Sequence, residues 1–367
     1  MNKSHSSTRF INAAPVILFA VSSMVSTLQA ANYYHMGGAF KRIDLAGSYS
    51  NTDGSNVLAV AALSAGDDVF FYNSSASSPE SLSLQTGPQM LALNSITFRK
   101  NAGTTQIDRS FKSSSDATVV QIGKGGITVE SGAGAVTIGA PVTSDEEQRV
   151  VVGAFADFSI TNNSNNDLTF NRVFDGRSEN TTHTVTVTGS GSGNVTFVEG
   201  IGANSKGRDL AMTINTTGTG VVRFNGKNTY KGPTTVVAGK LFINGYARAA
   251  EGALNVSSQA TLGGSGMIGS DVTIAENGGV EFDISAPAGK HNLLNIASSR
   301  TLNFSGASVL TITSSGGAIV GKYKLINAPG GILGAAPATP KLPAGWVGKV
   351  SIVGNNLVLD LKSIAAP

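Results

Sequence analysis

One interval dominates this sequence. The alternating apolar pairs Phe158/Ile160, Val185/Val187 and Met212/Ile214 recur every 27 residues, and Leu168/Phe170, Val195/Phe197 and Val222/Phe224 follow each of them ten residues later. A period-two apolar pattern reads as a strand with one buried face. The unit is therefore strand, turn, strand, repeated three times without insertion. Such a unit cannot bury its own apolar face, so copies must stack, and in a parallel β-helix equivalent residues of successive coils lie over one another. The expected fold class is all-β: a single-stranded parallel, right-handed β-helix or β-solenoid with irregular N- and C-terminal caps. The hand follows from the general bias of parallel crossovers. Phe170, Phe197 and Phe224 are expected to form an interior ladder at one coil, about 4.8 Å, per rung, and some ~12 coils would make a rod of roughly 55–60 Å.

Outside that block the alternation persists while the turns vary in length, as at Ile127/Val129, Val136/Ile138, Leu254/Val256, Val272/Ile274, Val280/Phe282/Ile284, Leu302/Phe304 and Leu310/Ile312. Loops of a solenoid absorb such insertions. The organisation expected is an N-terminal cap or first coils at 31–90, with Ala65–Asn73 its clearest strand, repeats at 91–285 with the 27-residue coils at 157–230, and final coils with a C-terminal cap at 286–367. After a Pro-rich stretch from Pro337, the runs Val350–Val353 and Leu357–Leu361 are placed to cover the last open edge.

Residues 1–30 read as a secretory signal, with Lys3 and Arg9 before the apolar run Ala13–Val21 and a small polar region ending at Ala30, or alternatively Ala31. The run is too short to span a bilayer. Without Lys3 and Arg9 the net charge of +3 falls to 24 basic against 23 acidic groups, so charge implies no nucleic-acid partner. Charged residues are only 13% and cysteine is absent. Stability must then come from packing and hydrogen-bond ladders, with Ser, Thr, Asn and Gly supplying the polar surface.

The stretch NTYKGPTTVVAGKLFING (Asn228–Gly245), within the unit at 225–245, leads into ALNVSSQATLGGSGMIGSDVTIAENGGVEFDIS (Ala253–Ser285). Together they resemble the autotransporter-associated β-strand repeat of bacterial passenger domains. LNSITF and GGITVESGAGAVTIGAPV upstream, and HNLLNI, GKYKLINAPGGILG and LPAGWVGKVSIVGNNLVLDL downstream, are similar to the surroundings of that repeat. The resemblance implies an exported, surface or extracellular rod, structural or adhesin-like and not an enzyme, meeting envelope components or extracellular glycans as a monomer without a cofactor. The strands of a membrane barrel do not fit after Ser285, so a split passenger displayed by a separate partner is a further reading. The competing class is a carbohydrate-active protein, since parallel β-helices also host polysaccharide lyases and hydrolases.

Candidate sites are few. Glu281 and Asp283, two apart in VEFDI, would share one outer face about 6.6–6.8 Å apart, a separation used by inverting glycosidases. The plainer reading is a solvated strand face with no basic or aromatic cluster beside it. Asp67-Asp68 and Asp145-Glu146-Glu147 could ligate calcium or be solvated loop acids. His35, His183 and His291 are scattered and suggest no metal site. Gly264–Gly269 matches G-x-G-x-x-G but leads into a strand instead of a helix, so it reads as turn glycine. Tyr230 and Trp346 are either glycan-stacking rings or packing at turns and caps.

Overall fold

The computed structural model describes residues 30–36, 46–55, 57–59, 61–72, 74, 82–86, 90–109, 118–139, 150–172, 174–176, 181–202, 210–247, 252–285 and 293–364. The leader up to residue 29 and the loop acids at 145–147 lie outside them, as does His291. Among the described residues the protein is all-β apart from a 3-10 turn at Ala46–Ser48. Three sheets hold 15, 10 and 6 strands.

The chain visits the sheets in rotation. Phe158–Asn162 lies in the first sheet and Leu168–Phe170 in the second; His183–Gly189 then returns to the first sheet, parallel to and in register with Phe158–Asn162. Phe158 pairs with Val185 and Val185 with Met212, while Leu168 pairs with Val195 and Val195 with Val222. The 27-residue interval is thus one circuit of the chain. From Tyr246–Ala247 onward a third sheet joins each circuit through Met267–Ile268, Leu294–Ile296 and Gly321–Asn327. Long parallel sheets with this order of visits are consistent with a β-helix or solenoid.

Circuit length changes where the regular block ends. Between Leu254 and Val272 the chain returns after 18 residues, and between Val272 and Leu302 after 30. Parallel stacking also reaches into the irregular N-terminal region, where Asn32–His35 pairs with Asp68–Phe71. Antiparallel pairs occur at both ends: Tyr34 opposite Ser50, and the hairpin of Val347–Val353 with Asn356–Ser363, which lies against Gly321–Asn327. A strand laid across an open edge withholds its N–H and C=O groups from further pairing.

Alternating residues face a continuous core. Ile160, Val187, Ile214 and Val236 are fully buried in the first sheet, and Leu168, Phe197, Leu241 and Val280 in the second. The Phe170 and Phe197 rings stack at 5.0 Å and 9°, whereas Phe224 meets Phe197 edge-on at 5.5 Å and 84°. Phe174, absent from the expected ladder, wedges edge-on against Phe170 at 5.4 Å and Phe197 at 5.3 Å. Both geometries are favoured by the ring quadrupole.

The turns explain why so little charge suffices. Oδ1 atoms of Asn163 and Asp167 accept the backbone N–H of Ser190 and Asn194, one circuit on, at 3.0 and 2.8 Å. Buried Asn162 donates through Nδ2 to the Asn166 and Gly193 carbonyls at 3.0 and 3.3 Å. Each short polar side chain satisfies turn amides that have no strand partner.

Asp271 repeats the device, its Oδ1 accepting from the Thr301 N–H at 2.8 Å and the Thr301 hydroxyl at 3.1 Å. The backbone bond from Thr301 holds its carboxyl below the usual range, helped by the Thr301 hydroxyl and the Arg300 charge against opposing desolvation. A depressed carboxylate contributes stability above its unfolded-state value and loses it as pH falls through its folded value. Asp271→Asn is therefore expected to flatten the acid limb of the stability curve below about pH 4. Urea midpoints from pH 2.5 to 7 check this; an unchanged acid limb would contradict it.

Candidate functional site

Val280 and Phe282 of the second-sheet strand Gly279–Asp283 are buried, as is Ile284 just after it, so Glu281 and Asp283 both point outward, opposite Thr311 and Thr313. Neither carboxylate stands free. Glu281 Oε2 accepts from Lys240 Nζ at 2.8 Å, and Asp283 Oδ1 accepts from the Ser285 N–H at 2.9 Å and from the Ser285 hydroxyl. Asp283 thus caps the end of its own strand, and Glu281 is held in an ion pair.

The expectation that no basic or aromatic group lies beside Glu281 is corrected by the structure. Lys240 and Phe242 of Lys240–Ile243 reach this face because shortened circuits place Phe242 opposite Gly263 and Gly263 opposite Glu281. Glycine leaves a side-chain-sized gap in the column, and Phe242 fills it: a Cβ on Gly263 would lie 2.9 Å from the ring Cε1. On the other side, Arg223 pairs with Phe242, its guanidinium carbon 5.3 Å from the ring centroid. Cation, ring and ion pair therefore sit on three strands within a run of four, the remaining one supplying Gly263. The residues are up to 58 apart in sequence, with no shared local pattern. Only a register through circuits of unequal length could have revealed them.

The other candidates have structural settings. Asp67 is not a solvated loop acid: it is 3% exposed and accepts from the Ala31 N–H, the Ser64 N–H and the Ser64 hydroxyl, tying the first strand to the following turn. Asp68 accepts from Asn94 Nδ2 at 2.8 Å and from the Ser95 hydroxyl. His35 is buried among Tyr49, Phe71 and Tyr72, while His183 Nδ1 lies 3.7 Å from Asp157. No group of three or more His, Asp or Glu residues able to hold a metal ion occurs among the described residues.

Tyr230 is 2% exposed, packs edge-on against Phe224 at 6.4 Å, and bonds the Thr234 hydroxyl. Burial pushes its hydroxyl up to about 12, with the Thr234 bond opposing. It is a packing residue. Trp346 packs partly buried against the core. Gly264–Gly269 follows the strand Thr261–Gly263 and includes the strand Met267–Ile268, with no helix following.

No described helix is long and apolar enough to cross a membrane. No family model matches the chain. Over 70 residues, 19% of its length, the chain is 43% identical to an adhesin, the BmaC autotransporter of Brucella suis biovar 1. It spans only about 2% of that protein. The all-β structure and this partial similarity are compatible with an autotransporter passenger.

Proposed function

We propose that the chain is an exported, passenger-type, right-handed parallel β-helix serving as a structural or adhesin-like element of a bacterial surface, without catalysis. The observation that carries the proposal is the in-register return of the chain through the first sheet, whose main path orders thirteen strands. Such stacking makes a stiff body with long polar outer faces. The similarity to an autotransporter adhesin supports placing that body outside the cell, and residues 1–30 supply the reading of how it is exported. The bonds made by Glu281 and Asp283 favour a non-catalytic use of these carboxylates.

Expression of the full chain in a Gram-negative host tests export, with recovery of residues 31–367 at the surface or in the medium expected. Purified 31–367 should bind at least one target on glycan arrays or envelope preparations and release no reducing ends from polysaccharides. Retention in the cytoplasm with the leader uncleaved would overturn the export reading. Sugar release abolished by Glu281→Ala with Asp283→Ala would replace the structural reading with a hydrolase.

A further inference from the structure

The cluster on the outer face of the second sheet makes no contribution to the interior core, and its composition points to a ligand. We propose that Arg223, Phe242, Lys240 and Glu281 form a binding site for an acidic saccharide, with Arg223 receiving the sugar carboxylate. The proposal deepens the adhesin-like reading and rests on it only in that a surface rod meets glycans.

Arg223 carries the argument. Its guanidinium carbon lies 5.3 Å from the Phe242 ring centroid, a cation–π contact that favours keeping the group at this face while its N–H donors keep their capacity for hydrogen bonds. Among the described residues the acids engaged in ion pairs are matched to other bases: Asp53 to Arg99, Glu199 to Arg172, Asp157 to His183, Glu281 to Lys240, Asp271 to Arg300 and Asp360 to Lys362. A fork of donors that makes no ion pair among the described residues can match a planar anion bidentately.

The surroundings suit a sugar bearing that anion. Phe242 is half-buried next to the cation, and the part of the ring left uncovered between Arg223 and Gly263 offers apolar contact to sugar C–H groups. Lys240, 41% exposed, spends one of its donors on Glu281, leaving others for hydroxyls. Glu281 Oε2 is committed to Lys240, which leaves Oε1 as an acceptor. Thr261 and Thr311 flank the pair as register neighbours of Lys240 and Glu281. The site lies on a sheet face, which a polymer can approach from the side.

The test measures binding of purified 31–367 to immobilised oligogalacturonate, with an uncharged oligogalactan as control. Wild type should prefer the uronate. Arg223→Gln should weaken uronate binding about tenfold or more and leave the melting temperature unchanged. Phe242→Leu, which keeps apolar volume without the ring, should also weaken it. Lys227→Gln, an exposed lysine outside the cluster, should have no effect. Unchanged binding by Arg223→Gln, equal losses in Lys227→Gln, or folded wild type that binds the galactan as well as the uronate or binds neither would each overturn the site. Attachment of the rod to envelopes with Arg223-independent uronate binding would remove this site and leave the adhesin reading standing. Arg223-dependent uronate binding without attachment would do the reverse.

Discussion

Phe197→Ala is expected to destabilise the rod by about 3–5 kcal/mol, the range for deleting a large aromatic side chain from a core that relaxes incompletely. The ring is fully buried and touches three others: Phe170 face to face, with Phe174 and Phe224 edge-on. Its neighbours belong to backbone already paired on both sides, Phe170 and Phe224 flanking Phe197 in register, so the cavity cannot close without breaking ladder bonds. In a stacked array each circuit contacts mainly its neighbours, and the loss should concentrate there. Urea melts followed by circular dichroism, with hydrogen exchange at residues 168–170, 195–197 and 222–224, measure it. Wild-type midpoints together with wild-type exchange would refute the ladder as a source of stability.

Gly191→Ala should be comparably costly, although it adds only one methyl group. A Cβ on Gly191 would overlap the carbonyl oxygen of Ser164, one circuit before, and Gly218 approaches the Gly191 carbonyl in the same way one circuit later. The backbone must shift, straining the bond from Gly191 N–H to the Asn162 carbonyl at 3.2 Å. Overpacking of about 1–3 kcal/mol and a weakened buried bond of about 1 kcal/mol give an expected loss of roughly 2–4 kcal/mol. Ser192→Ala, at the exposed neighbour of buried Gly191, removes only side-chain bonding to Asn165, and should cost about 1 kcal/mol or less. Equal midpoints for the two variants would show that the turns do not stack as closely as the structure places them.

The parallel register was legible because it repeats. Three copies at 27 residues align Phe158, Val185 and Met212 in the only way that keeps every apolar residue inward, since a slip of one residue would turn each to solvent. The polar face was legible for the same reason: Val280, Phe282 and Ile284 inward force Glu281 and Asp283 outward. Phe174 escaped notice because its column breaks after one repeat: Ile201 stands over it 27 residues later, but the next position is Asn228; Asp67 escaped because a buried turn acid has the same local sequence as a solvated one.

By itself, then, the sequence determined strand periodicity, the face each residue takes and the length of the regular circuits, all properties of neighbours along the chain or of a constant interval. Tertiary structure alone decided that the circuits shorten to 19, 21 and 18 residues between Arg223, Phe242, Gly263 and Glu281, and hence that these residues and Lys240 meet on one face. The physical reason is that contact between circuits depends on the cumulative length of every intervening turn. A turn carries no apolar period of its own, so its length is settled only when the strands on either side find their place in the stack.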